Sequence, residues 1–334
     1  MATITFNSRS ARQFGFVIGA IFVAYWLSGL MISLFIAYIL MATIMPAVHR
    51  FEKLGFPRWL AIISVFILSF TVIGLFLGVT MGPLVTEMQR FFTAVPTFVQ
   101  ESIAGLNIEG SVFQPYVYDA VSTVAQQLAS VPLDIVKFGT TFFGGIINVI
   151  MVLIFTFYLA LQNEGVHSFM VRVLPLGDKS EMPKLFESVD QRLGAWLRGQ
   201  FLLMTIIGTV TYVALTIIGL PFALPLAIIA GLLEIVPIIG PIISAVPAML
   251  VALTISPVKA VVVALLFTLI QQLEASVVVP RVMKSAVGLD PLVVLIALTV
   301  GGRMAGPVGA LLSVPAVAVA MIVYDAWTLD RKTK

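Results

Sequence analysis

Three ionisable side chains, Glu234, Glu274 and Arg303, stand inside long apolar stretches of this chain. A charged group in hydrocarbon costs about 2.5 to 3.5 kcal/mol even on lenient scales, so each needs a partner or a task. Glu234 lies six residues before Gly240-Pro241, Glu274 follows Gln271 and Gln272 in the run Ala260 to Val279, and Arg303 sits among Gly301, Gly302, Gly306 and Pro307. Carboxyl groups in such surroundings suit reversible binding of a proton or a coupling cation. An arginine beside opened backbone suits a polar or anionic solute. The same residues also admit a structural role, in which either glutamate pairs with Arg303 or caps broken backbone.

The segments that carry these groups repeat one pattern. Pro225-Leu226, thirteen residues, Gly240-Pro241 and then Val246-Pro247-Ala248 is followed by Pro291-Leu292, thirteen residues, Gly306-Pro307 and then Val314-Pro315-Ala316. Non-helical backbone at bilayer depth leaves amide and carbonyl groups unpaired, so it survives only where protein or trapped water satisfies it. Matched interruptions in two halves of a membrane protein point to a transporter's binding site. Pro237, Gly240 and Pro241 belong to the first interruption, and Gly301, Gly302, Gly306 and Pro307 to the second. Together with Glu234, Gln271, Glu274 and Arg303 they form the candidate solute- and ion-binding set. The competing expectation is a pair of ordinary spans with a kink in each.

Composition places these segments in lipid. Hydrophobic residues make up 60% of the 334 and charged residues only 10%, so long uncharged runs exceed what one water-soluble core could bury. The formal charge of +3 comes from Lys and Arg at the ends of apolar runs and not from a patch, which argues against nucleic-acid binding. There is no cysteine, hence no disulfide or thiolate chemistry. His49 and His167 fall in expected loops, separated from each other and from carboxylate clusters, so no metal site is expected, and no cofactor either. Neither a GxxxxGK[ST] phosphate loop nor an HExxH or GxSxG motif occurs, which excludes nucleotide-driven transport in the usual way and argues against a hydrolase.

The charge pattern sets expected spans and sides. Phe14 to Met45 is 32 residues without a charge, a helix of roughly 48 Å if continuous, too long for a signal peptide. A tight pair turning near Ser28-Gly29 returns Arg50, Lys53 and Arg58 to the cytoplasmic side of Arg9 and Arg12. The next span runs from Arg58-Trp59 to Gly82-Pro83, with Gly74, Gly78 and Gly82 spaced for a close helix neighbour. Residues 87–137 read as outward-facing amphipathic helices and 138–161 as a returning span. Residues 162–200 read as the main cytoplasmic loop, ending in an interfacial helix with the stripe Leu185, Phe186, Val189, Leu193, Trp196 and Leu197. Trp59, Trp196 and Trp327 fall where aromatic belts lie. The transport core is then 201–326, as 201–256 and 260–326, each a span plus a re-entrant hairpin with the second copy inverted. Residues 1–13 and 327–334 are cytoplasmic ends, and 14–86 the N-terminal membrane segments.

The blocks SVDQRLGAWLRGQ from Ser188, AGLLEIVPIIGPIISAVPA from Ala230, and LEASVVVPRVMKSAVGLDPLVVLIALTVGGRMAGPVGALLSVPA from Leu273 resemble signature blocks of the autoinducer-2 exporter family of bacterial permeases, also called PerM-like. The C-terminal half matches densely, the N-terminal half in layout. The resemblance implies a homo-oligomeric integral protein of the bacterial inner membrane with about eight membrane segments, which joins the reading above into an all-α, polytopic fold with two opposed re-entrant hairpins. Family members are associated with autoinducer-2 export and others with sodium or lithium against proton exchange. Glu234 and Glu274 match family positions closely and Arg303 more loosely. Arg192, Arg198 and Gln200 form the family's cytoplasmic-end motif, expected to gate the inner mouth or, for Arg198, to anchor at headgroups.

The expected function is a non-enzymatic secondary transporter moving a small polar solute by alternating access in membrane lipid, coupled to a proton or sodium, with both termini cytoplasmic. The alternatives are a sodium or lithium/proton antiporter and a non-transporting membrane scaffold.

Overall fold

The computed structural model describes residues 27–76, positions 78, 82, 86 and 90, and residues 146–163, 165–168, 182–283 and 290–332. The expected first half of the N-terminal pair, the amphipathic region 87–137 and Lys284 lie outside them. Every regular element among the described residues is helical. In chain order these are α1 (Ser28–Lys53), α2 (Arg58–Phe76), α3 (Ile146–Leu161), α4 (Met182–Ile217), α5 (Ala223–Leu233), α6 (Ile239–Ile255), α7 (Pro257–Leu273) and α8 (Pro291–Lys332). Helix α7 continues through a π turn, Glu274–Val278, into Val279–Val282.

By length and composition α1, α2, α4, α7 with its extension, and Leu292–Tyr324 of α8 can cross a membrane. Their outer faces are apolar: Ile67, Leu68, Phe70, Val72, Ile73, Leu75 and Phe76 of α2 are all exposed. Water would penalise that surface and hydrocarbon does not, so the chain is a multi-pass membrane protein. Helix α1 spans Ser28 to Lys53, continuing past Met45 through Pro46. Gly55, at φ +92°, ends it, and Pro57 stands immediately before α2.

The inner faces build two apolar clusters. One joins α1 (Met41, Val48), α2 (Ile62), α4 (Leu193, Trp196) and α8 (Leu298, Leu312). The other joins the end of α4 (Leu215) to α5 (Leu226), α6 (Val251) and α7 (Val263). The expected interfacial stripe Phe186, Val189, Leu193 and Trp196 is buried against protein, and Trp196 is therefore a core residue and not part of an aromatic belt. Helical spacing reveals an apolar face but not whether lipid or another helix covers it. Trp59 is exposed, as a belt residue would be, and the side chain of Trp327 is outside the described residues. Gly74, Gly78 and Gly82 have no described atom within 4 Å of an added Cβ, so the helix neighbour expected there is absent among the described residues.

Close approach of α1 and α4 is built around Pro46. Lacking an N–H, Pro46 cannot pair with the carbonyl of Ala42, and Gly194 lies over that carbonyl, where a Cβ would come within 2.3 Å of the oxygen. Arg198 Nη1 donates to the next carbonyl, Thr43 O, at 3.0 Å. Tyr38 with Asp190, Ala42 with Gly194 and Thr43 with Arg198 advance together along both helices, so α1 and α4 run in the same sense where they touch. The charge-based reading opposes them. That reading treats 182–200 as an inner loop, whereas this half of α4 is packed in the helical core.

Both interrupted segments reverse direction. Gly240 lies so close to Leu233 that a Cβ would stand 1.9 Å from its carbonyl oxygen. The reversal occupies Glu234 to Ile238 and closes in a γ-turn, Ile239 N–H to Pro237 O at 2.8 Å, with Ile238 forced to φ +69°. In α8 the helical path fails at Ala305 (φ −138°, ψ 25°) and Gly306 (φ +61°, ψ −147°), the latter a conformation open essentially to glycine alone. Gly301 and Gly309 then face each other across the turn. Neither segment is a kinked continuous rod.

The turns differ in place from the expectation in one respect. The first lies before Gly240-Pro241, which instead opens the returning helix α6, where a missing N–H is tolerated. Glu234 consequently stands in the break and not ahead of it. The link between α6 and α7 follows capping chemistry: Ser256 Oγ accepts from Lys259 N at 3.1 Å and Pro257 takes the first helical position. Lys259 Nζ also donates to Gly219 O at 3.2 Å, so the α5–α6 hairpin leaves and returns at one end of α4.

Replacing Gly301 by alanine places a methyl 2.3 Å from Gly309 O, whereas the same change at Gly302 meets nothing closer than 3.8 Å. Gly301→Ala should lose about 1 to 3 kcal/mol and melt earlier in a detergent thermal scan, while Gly302→Ala should not. Equal melting of the two variants would rule out the hairpin packing.

Candidate functional site

Glu234 is the residue at which α5 stops, with φ −56° and ψ −17°. Its N–H still pairs with Ala230 O at 3.1 Å, but its carbonyl is left without a helical continuation. Gln200 of α4 supplies the missing donor, Nε2 to Glu234 O at 2.6 Å, in a buried contact. The two helices come together there because Gly208 and Gly231 let their backbones touch: a Cβ on Gly231 would lie 2.8 Å from Met204 O.

Glu274 is delivered by a different device. Pro280 cannot donate to Ser276 O and its ring crowds that carbonyl. The helix widens to a π turn over Glu274–Val278, in which Val279 N–H bonds Glu274 O. Such widenings recur at functional sites. Here the widening opens at Glu274.

The two carboxyl groups are neighbours. Glu234 is 1% exposed and Glu274 5%. Two bare like charges in this low-dielectric setting would repel strongly, and a proton shared between them would remove that repulsion. Glu234 Oε2, Glu274 Oε2 and Gln200 Oε1 are each buried with no hydrogen-bond partner among the described residues. That is an unusual concentration of unsatisfied acceptors, since buried polar atoms are nearly always paired.

The depth of the pair follows from helix rise. Glu274 is fifteen residues beyond Lys259, about 22 Å along α7, and Gln200 is nineteen before Gly219, about 28 Å along α4. The pair therefore lies far from the Gly219–Lys259 end of an apolar layer ~30 Å thick, well past its middle.

The remaining expected site residues divide into two groups. Pro237 is in the γ-turn, Gly240 is buried, and Pro241 and Gln271 are half-buried near the pair. Val236 of the same turn packs on the cluster holding Leu298 and Ala310 of α8. Arg303 is exposed and enters into no interaction with either carboxyl. Gly301, Gly302 and Gly306 are half-buried and Pro307 exposed, and the bare face of Gly301 is used up by Gly309. Arg192 is exposed; Arg198 reaches a backbone carbonyl as described.

A second polar cluster escaped the sequence reading. Tyr38 Oη donates to Asp190 Oδ1 at 2.5 Å, and His167 Nε2 lies 3.2 Å from Asp190 Oδ2, its ring stacked on Phe186. His167 is thus beside a single carboxylate. The available signal was that Asp190 falls four residues after Phe186 and three before Leu193, on the apolar stripe itself. No group of three or more metal-ligating His, Cys, Asp or Glu occurs among the described residues.

A protein paired in this way around two reversed hairpins has relatives. The family described as "AI-2E family transporter" matches residues 14–329. The chain belongs to this family. It is 28% identical to YueF of Bacillus subtilis over 309 residues, 88% of this chain and 83% of YueF. It is 27% identical to YrrI of the same organism over 298 residues, 87% and 83% of the two chains. It is 25% identical to MT0215 of Mycobacterium tuberculosis over 297 residues, 86% and 80%. The names of all three provisionally call them transport proteins. As an AI-2E family chain this protein is a permease-class membrane protein, and its buried carboxyl pair is the one place among its described spans where two acids meet.

Gln200→Leu removes the only donor seen on Glu234 O and leaves a buried carbonyl bare, which should cost about 1 to 3 kcal/mol and lower the detergent unfolding midpoint. Tyr38→Phe deletes one hydroxyl without changing shape, and its expected loss is about 1.5 to 3 kcal/mol because the acceptor is a carboxylate. Wild-type stability in either variant would remove that hydrogen bond from the account.

Proposed function

We propose that this chain is a secondary transporter of the autoinducer-2 exporter type in the bacterial inner membrane, moving a small polar solute by alternating access with ion coupling through Glu234 and Glu274. The observation that carries the reading is the pair of neighbouring acids, buried at a helix break in a chain built of apolar helices. Ionisable groups buried among apolar helices are expensive and are kept where protons or ions pass. A pair that takes up and gives up a proton can bias a hairpin whose tip it occupies, because Glu234 is itself the C-cap of α5.

The hairpins support the alternating-access part. The α5–α6 hairpin begins and ends at the Gly219–Lys259 end, as a re-entrant element does. The α8 hairpin follows the next long helix, so span plus hairpin occurs twice in succession. With the basic Arg281 and Arg331 placed on the cytoplasmic side by charge bias, the second hairpin enters from the leaflet opposite the first.

Two measurements test this. In proteoliposomes with an imposed proton gradient, wild type should move labelled autoinducer-2 at least tenfold faster than Glu274→Gln of equal fold and content; equal rates would remove the acid pair from transport. Since the chain has no native cysteine, single Lys259→Cys and Arg331→Cys variants should react with an impermeant thiol reagent from opposite faces of the membrane. Reaction from one common face would rule out opposed hairpins.

A further inference from the structure

We infer that the turn Pro237–Ile239 is a strained latch, closed while the helix break is dry and released when a water or a solute oxygen takes the N–H of Ile239. This latch goes beyond the transporter reading, since it follows from the membrane setting whatever the protein carries.

The backbone singles out this turn. Phe222 (φ +61°) and Ile238 (φ +69°) are the only residues other than glycine at positive φ among the described residues. They bracket α5, one as its N-cap and the other immediately before α6. Ile238, with ψ −52°, is the centre of a γ-turn of the rare, strained form. A β-branched residue at positive φ is a backbone outlier, and it persists only where the surrounding structure holds it.

Hydrocarbon explains why the strain is kept. Helix α5 rises about 16 Å over its 11 residues, so the turn, reached from the Gly219–Lys259 end, falls inside an apolar layer ~30 Å thick. Every N–H there needs a partner from the protein. Ile235, Val236, Ile239 and Gly240 all donate within the turn, to the carbonyls of Leu232, Leu233, Pro237 and Val236. The bond from Ile239 to Pro237 O is the one that closes the γ-turn and sets Ile238 at positive φ. An oxygen arriving from outside can take the place of Pro237 O, and Ile238 can then return to negative φ.

Two contacts oppose that release. Gln200 Nε2 donates to Glu234 O at 2.6 Å, and the bare face of Gly240 lies on the carbonyl of Leu233. Contacts and strain pull in opposite directions, which brings the closed and released forms near in free energy, as a two-state element requires. With strained residues at both its ends, α5 is the segment that moves.

The experiment is hydrogen–deuterium exchange of the full chain in lipid nanodiscs, read by mass spectrometry on peptides covering Leu232 to Gly240. Glycine takes positive φ without strain, so Ile238→Gly should slow exchange there about tenfold after correction for intrinsic amide rates, although glycine ordinarily loosens a turn. Ile238→Val keeps the β-branch and should stay within about twofold of wild type. Gln200→Leu removes one opposing contact and should speed exchange in these peptides about tenfold, and adding Ile238→Gly should bring the rate back toward wild type. If Gln200→Leu does not fold, the contrast between glycine and valine decides.

Equal or faster exchange in Ile238→Gly overturns the proposal, as does slowing by Ile238→Val as large as by glycine. Slowed exchange in Ile238→Gly, with no flux of labelled autoinducer-2 through wild type in proteoliposomes, leaves the latch standing and the transporter reading fallen. Flux through wild type with unchanged exchange in Ile238→Gly does the reverse.

Discussion

Where a helix stops inside hydrocarbon, its last carbonyls lose both their helical partners and any access to water, and the architecture around Glu234 is a response to that loss. Gln200 covers the carbonyl of Glu234 from the neighbouring helix. Doing so requires α4 and α5 to approach within backbone contact, which the Gly208–Gly231 pair permits. The same requirement recurs at α1, where Pro46 strips a donor from Ala42 and both Gly194 and Arg198 of α4 converge on the exposed carbonyls. It recurs again at α3, whose Ala160 carbonyl accepts from Nε and Nη2 of Arg58. Helix ends and kinks in this protein are thus the points at which helices bind one another.

That arrangement gives the acid pair its character. Glu234 is held by the break and Glu274 by a π turn, so neither carboxyl can retreat to water without undoing a backbone feature. Each acid is the other's partner. The glycine contacts of the second hairpin have a different task, since Gly301 and Gly309 bring two helical arms together and leave no room between them for a ligand. The two hairpins are therefore alike in path and unlike in chemistry: the break of the first holds Glu234 against Glu274 of the next helix, and the second holds the packing and an exposed arginine.

Much of this was legible in the residues. Long uncharged runs announce membrane helices because hydrocarbon excludes charge, and Ser256-Pro257 announces a helix start because a hydroxyl acceptor and a missing donor suit only that position. The repeated Gly-Pro pairs marked both reversals, although the first opens the returning arm and only the second, at Gly306, takes part in the turn. Glu234 and Glu274 were legible as misplaced charges. Their pairing with each other instead of with Arg303 was not, because opposite charges are the default expectation and forty residues of chain separate the two acids. Asp190 was hidden by its good company of apolar neighbours, and the stripe around it read equally well as lipid-facing.

By itself, then, the amino-acid order determined which segments are apolar helices, where two of them must break, and which acids are too deep to be idle, since these follow from local periodicity, from proline and glycine, and from the cost of charge in hydrocarbon. Only the tertiary structure decided who meets whom: Gln200 with the broken carbonyl, Glu234 with Glu274, Tyr38 and His167 with Asp190. Those pairings depend on crossing geometry, on a π turn that advances a side chain around its helix, and on where glycine allows backbones to touch. None of these is encoded within a single helical turn of sequence.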